Sequence, residues 1–381
     1  MRVGQHSQSP KGCWAGLLLL CCWAVLPATL HAASRLKWDE VGLPPMRTFS
    51  PKDYRGGTQN WDIVQDSRGI IYVANNDGVL EFDGQRWRLI PIPGQSATRS
   101  LAVDARGRVL VGAIGDFGYL EPRPDGPPRF VSLLSDVPQD AREFSDVWHT
   151  FVRGDEVIFC SYQRLFRWRG EVIEVVEPRT AFHRAFNVDD QVYVREVGHG
   201  LLQLHDDGLR PVPDSQQFAQ ERVYGVLSLI GNKDAARPRL LVGERKRGWW
   251  LGAEGGFQRW PTAVDDQLAS GLLYSAQQLP DGRLALGTLQ QGLFLLDTLG
   301  QQVGYLGRQQ GLPDPAVLGQ FVDREGGLWL GLDRGLARAE IHAALSQFDE
   351  RNGLLGEVFS VQRYQGQLCA GTSRGLFCLR A

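Results

Sequence analysis

Apolar and polar positions along this chain recur in short blocks, not in helical stripes. One block, VDREGGLWLGLDRGLAR (322–338), starts on an apolar strand and turns through Asp and Gly. A second strand then ends in Gly, another turn ends in Gly, and a third strand begins with Leu. Clear copies lie at 61–84, 101–121, 275–297 and 360–379, and weaker ones at 150–168, 186–204 and 227–251. Aligned on the end of the second turn, the copies fall at Gly78, Gly118, Arg164, Gly200, Gly248, Gly292, Gly335 and Gly375, in steps of 36 to 48 residues. A period in the low forties with three short strands and room for a fourth predicts an all-β fold, a β-propeller of four-stranded blades. No long segment follows a 3.6-residue period.

The residue choices fit such a unit. Glycine in the turns permits positive φ, and Asp or Asn bonds the turn's own backbone. The Gly that ends the second strand (Gly112, Gly243, Gly287, Gly331, Gly371) lets a neighbour approach closely. Two residues earlier, Tyr72, Leu110, Leu241 and Trp329 are expected to fill the space between adjacent sheets. Fourth strands are expected at 86–92, 128–134, 171–177, 257–262, 301–307 and 344–350. The last copy has none, and RLKWDEVGLPP (35–45), similar to VGYLGRQQGLPD (303–314), is expected to supply it. That pairing closes eight blades and leaves no sheet edge open. The alternative count is seven blades, with residues after about Ile341 beginning a second propeller.

Composition adds a compartment. An apolar run, CWAGLLLLCCWAVL (13–26), follows Arg2 and Lys11 and is broken by Pro27; small residues then offer a cleavage site near Ala32 or Ala33. Residues 1–33 therefore read as a secretory signal peptide, with an uncleaved anchor as the alternative, and 34–381 as one domain in the periplasm or outside the cell. Net charge is −2, so no global field points to nucleic acid or an anionic membrane. The 45 glycines and 11 tryptophans imply much turning and much aromatic packing. Cys369 and Cys378 flank AGTSRGLF symmetrically and are a candidate disulfide in an oxidising compartment, with Cys160 left over. Their spacing matches no zinc site, and no catalytic residue, metal or cofactor is assigned.

The segment GLPDPAVLGQFVDREGGLWLGLDRGLAR (311–338) resembles the repeat of the two-component regulator propellers. FSPKDYRGGTQNWDIVQDSRGIIYVANNDGVLEFDGQRW (49–87) resembles the first blade of such sensors. The resemblance covers nearly all of the chain after the leader. It is weak where Arg164, Cys160 and Arg195 replace expected glycines. It implies a periplasmic sensing module of hybrid two-component or diguanylate cyclase receptors, with kinase or cyclase domains downstream in a longer gene product. Ending at Ala381, the chain is expected to be either a fragment of such a receptor or a free-standing version without an output domain.

In that fold the loops entering each first strand and joining strands two and three share one face, and loops carry recognition. The candidate ligand-binding residues are Asn60, Trp61, Asn75, Arg99, Trp148, His149, His183, His199, Tyr224, Arg245, Tyr274, Asp333 and Arg334, with Asp116, Glu244 and Gln290 beside them. Aromatic rings next to polar groups suit a sugar or another flat, hydroxylated ligand. The bland alternative is that Trp148 and Tyr274 only pack within blades and that GERKRG (243–248) is a solvated turn. Three functions are consistent with these features: a sensor for an unidentified small molecule, glycan or envelope protein; a secreted lyase-like enzyme; or an envelope scaffold. The enzyme would need His183, Glu196 and His199 to converge. The resemblance favours the sensor, and no enzymatic activity is assigned.

Overall fold

A computed structural model describes residues 42–229, 239–253 and 255–379. The expected signal peptide and residues 35–41 of the expected amino-terminal strand lie outside the described residues.

The described chain forms seven four-stranded antiparallel sheets and one three-stranded sheet. Sheet one holds Asn60–Gln65, Ile71–Asn75, Gly78–Phe82 and Trp87–Ile90. Sheet two holds Thr98–Val103, Val109–Ala113, Phe117–Arg123 and Gly126–Ser132. Sheet three holds His149–Arg153, Glu156–Cys160, Leu165–Arg169 and Val172–Val176. Sheet four holds Phe182–Val188, Gln191–Glu196, Gly200–His205 and Gly208–Pro211. Sheet five holds Val223–Ser228, Leu240–Glu244, Gly248–Ala253 and Gly256–Trp260. Sheet six holds Leu273–Gln278, Leu284–Thr288, Leu293–Leu296 and Gln302–Leu306. Sheet seven holds Val317–Val322, Leu328–Leu332 and Leu336–Ala339, completed by Met46–Phe49. Sheet eight holds Val358–Tyr364, Gln367–Thr372 and Gly375–Cys378.

In the seven four-stranded sheets the second strands are buried on both faces because neighbouring sheets pack against each side of them. Tyr72 shares a core with Leu101 and Val109 of sheet two, and Leu110 one with Phe159 of sheet three. The series continues through Ile158 with Val194, Leu201 with Val242, Leu241 with Leu286, and Leu295 with Leu330. A seventh core joins Trp329 and Leu336 of sheet seven to Ile63 and Val73 of sheet one. Each fully buried aliphatic or aromatic side chain contributes roughly 1.5–3 kcal/mol. The large residue before the strand-ending glycine is thus inter-sheet core. Gly331 shows why that glycine is needed: a Cβ there would lie 2.6 Å from the Asn60 carbonyl oxygen of sheet one.

Two expectations are corrected. No sheet closes into a barrel or propeller or curls strongly; all eight are separate open ladders, and one has only three strands, so the closed propeller gives way to an all-β body of stacked antiparallel sheets. Residues 35–41, the greater part of the segment expected to complete the last repeat, lie outside the described residues, and the strand that follows them has another partner. Met46–Phe49 pairs instead with Leu336–Ala339 in sheet seven, Met46 opposite Ala339 and Phe49 opposite Leu336. Phe49 decides the placement, stacking on Trp329 at 5.7 Å and lying edge-on to Phe82 and Trp87 at 5.3 and 5.2 Å. The expected strand at 344–350 supplies only an isolated bridge between Gln347 and Leu43. Local pattern fixes strand number and turn chemistry within one sheet, whereas closure depends on a long-range choice of edge. Sheet eight keeps its three strands, its first strand is exposed throughout, and Cys369 and Cys378 are cross-strand partners joined by a disulfide.

Candidate functional site

The first strands of the seven four-stranded sheets border one cavity of ≈ 410 Å³. In six of them the ladder skips one residue near the start: Trp61, Arg99, His183, Tyr224, Tyr274 and Leu318. A β-bulge leaves one residue outside the pairing and re-aims its side chain. Five of these six line the cavity; His183 stands beside it while its neighbour Arg184 lines it. In sheet three, Trp148 takes the corresponding place just ahead of the strand, and it too lines the cavity with His149.

On one side Arg99 lies over two indoles, its guanidinium carbon 4.6 Å from the Trp61 ring centre and 5.2 Å from that of Trp148. The two rings meet edge-on at 5.5 Å. Arg99 donates through Nε to Asp146 Oδ1 at 2.6 Å and through Nη1 to Asn76 Oδ1 at 2.9 Å, and Trp61 Nε1 donates to the same Asn76 oxygen at 2.8 Å. Tyr162 lies against Trp148 at 5.9 Å.

Elsewhere on the cavity wall Arg184 repeats the stacking on tyrosines, 4.6 Å from the Tyr224 ring and 4.4 Å from the Tyr274 ring, with the two rings 5.3 Å apart. Its one hydrogen bond runs from Nη1 to the Tyr274 carbonyl at 3.1 Å. Arg245 covers Tyr224 at 4.9 Å and donates to its hydroxyl at 3.1 Å, while its Nε is buried without a partner. His183 lies edge-on to Tyr224 at 5.2 Å. Burial, then the charges of Arg184, Arg195, Arg222 and Arg245, push His183 down to about 3. Burial first, then Arg184 and His183, hold His149 well below the ordinary imidazole range. Both rings are neutral at physiological pH and sit in a positive field.

The structure therefore gathers Trp61, Arg99, Trp148, His149, Tyr224 and Tyr274 around one cavity, with His183 and Arg245 packed behind Tyr224. It does not bring the others there. Asn60 and Asn75 are fully buried and tie sheets together: Asn75 Nδ2 donates to Asn60 Oδ1 at 2.8 Å, and Asn60 Nδ2 donates to the Gly335 carbonyl at 2.8 Å. Asp333 accepts from Gln59 Nε2 at 2.6 Å, Arg334 is exposed, and His199 lies in a turn of sheet four away from the cavity lining. Glu196 is buried and accepts from the backbone N–H groups of Arg179 and Thr180, capping a turn and not facing His183. Among the described residues no group of three or more His, Cys, Asp or Glu side chains is placed to hold a metal ion. The sequence reading missed Arg184, Asp146 and Asn76. The position of Arg184 next to His183 at the start of a first strand was the available signal, obscured by the weakness of that repeat.

No protein-family model matches the chain, and no curated protein matches it. Among solved structures it is similar to the extracellular domain described as that of the hybrid two component system BT3049 from B. thetaiotaomicron, at 18% identity and a TM-score of 0.58, covering 88% of this chain and 48% of that one. It is similar to the WD40 beta propeller domain of Doa1 at 14% identity and a TM-score of 0.57, covering 82% of this chain and 99% of that one. It is also similar to virginiamycin B lyase from Staphylococcus aureus at 12% identity and a TM-score of 0.56, covering 77% of this chain and 98% of that one. At such identities the likeness concerns the fold alone. The chain spans under half the length of the receptor extracellular domains it matches.

Proposed function

We propose that residues 34–381 form an extracytoplasmic ligand-sensing domain, delivered by the leader at 1–33, whose ligand occupies the cavity between the seven first strands. The observation that carries this reading is the recurrent bulge: sheets that otherwise differ in sequence each turn a residue out of the ladder toward one shared space, and most of those residues are aromatic or cationic. Trp61, Tyr224 and Tyr274 also pack against the inter-sheet cores, so the cavity wall is continuous with them and held in place by them. The apolar run at the amino terminus and the likeness to extracellular receptor domains support the compartment and the sensing role. Transmission would then go to kinase or cyclase domains of a longer gene product. A lyase-like enzyme is the weaker reading, because His183, Glu196 and His199 do not converge.

The test is calorimetric titration of the secreted chain with a panel of small organic acids, neutral sugars and envelope oligosaccharides. A saturable one-to-one interaction is expected, lost in Gln278→Trp, which fills the cavity from its lining. Failure of every compound to bind, or chemical conversion of one that does, overturns the sensor reading.

A further inference from the structure

We infer that the ligand is an anion, a small ring-bearing carboxylic acid whose carboxylate is taken by Arg184 with Arg245 behind it. This rests on the ligand-binding reading and narrows it. An arginine carries five N–H donors in a planar fork that matches a carboxylate. Arg184 uses one of them, on the Tyr274 carbonyl, and it lines the cavity. Among the described residues no carboxylate lies within ion-pair distance of Arg184, Arg195, Arg222 or Arg245, and Arg195 donates only to the carbonyls of Phe218 and Ala219. Arg184 thus faces the cavity without an ion-pair partner, which is costly where water is excluded. Asp62 and Asp189 also line the cavity, outside ion-pair distance of Arg184, while Arg195, Arg222 and Arg245 lie outside the lining. Stacking on Tyr224 and Tyr274 offsets part of that cost and leaves the charge unneutralised.

Arg99 shows what a balanced arginine looks like here, since it is closed by Asp146. An incoming carboxylate would give Arg184 the partner that Asp146 gives Arg99. The rest of the ligand faces rings, since Trp61 and Trp148 line the same cavity together with His149. A ring with an acid at one end and an apolar face matches this wall. The carboxylate could be carried by a sugar acid or by an aromatic acid.

The experiment titrates the secreted chain with glucuronate and benzoate, each beside its neutral methyl ester, and with acetate as the bare ion. At least one ring acid is expected to bind at least tenfold more tightly than its ester, with affinity falling as salt is raised. Glucuronate alone binding identifies a sugar acid, and benzoate alone an aromatic one. Arg184→Met is expected to weaken acid binding at least tenfold with an unchanged melting temperature, and Arg184→Lys, which keeps charge but loses the fork, to weaken it less. Equal binding of ester and acid, binding of acetate as tight as that of either ring acid, or binding by neither acid overturns the inference. In each of those cases a neutral compound from the wider panel that still binds would leave the sensor reading standing; no binding by any compound removes both.

Discussion

Arg99 and Arg184 line one cavity, each with its guanidinium over two aromatic rings at nearly the same distances. Arg99 is tied to Asp146 and Asn76, and so acts as a brace between the start of sheet two and the segment leading into sheet three. Arg184 holds one carbonyl and, among the described residues, has no carboxylate within ion-pair distance. Stacking geometry is the same for a brace and for a binding group. Completion of the charge by the protein itself is what separates them.

The largest expected effect concerns the field around Arg184. His183 titrates ordinarily near 6.5 when unfolded and at about 3 when folded, so its stabilising contribution is present above pH 6.5 and is lost as pH falls toward 3. In His183→Gln this acid-induced loss is expected to shrink by on the order of 3 kcal/mol between those limits, read from urea unfolding at pH 7 and pH 4. Asp62, pushed up to about 6 by burial, acts in the opposite sense, losing its contribution as pH rises from its ordinary value through 6, and it does so equally in both proteins. Parallel pH profiles would mean that burial and the neighbouring arginines together do not hold the His183 ring neutral.

Stability at neutral pH gives the next effect. Arg99→Met strands the partly buried Asp146 and is expected to cost about 1–3 kcal/mol, whereas Arg184→Met, which relieves repulsion and breaks no ion pair, should change stability by less than about 0.5 kcal/mol. Equal losses in denaturant unfolding would erase the distinction drawn between the two arginines. Tyr274→Leu, which removes one ring beneath Arg184 and leaves its charge in place, is expected to fall between these two at about 0.5–1 kcal/mol.

Much of the strand layout was legible, because turn glycines and strand-ending glycines obey local sterics that recur with the repeat. Fourth strands at 86–92, 171–177 and 301–307 were found within a residue or two at Trp87–Ile90, Val172–Val176 and Gln302–Leu306. Gly208–Pro211 in sheet four was missed, being four residues with little apolar alternation. The pairing of Met46–Phe49 with sheet seven was also missed, since an edge strand carries no local mark of its distant partner. In the site, the aromatic residues at the starts of first strands were legible by position. The bulges that aim them were not, because a one-residue slip in register leaves no compositional trace. Asn60 and Asn75 look like recognition residues in sequence for the same reason they are structural: a short amide satisfies the backbone of a tight junction as readily as it would a ligand.

The pairing of Met46 with Ala339 also bears on how the chain matures. The edge strand that finishes sheet seven emerges from the ribosome first, and its mate emerges after all the other six four-stranded sheets. Sheet seven must therefore wait until Ala339 has been made, a high-contact-order step that comes late in the folding of this body. A nascent chain crossing a membrane would stay threadable until that step, and the body would lock only once residues 46–339 had crossed.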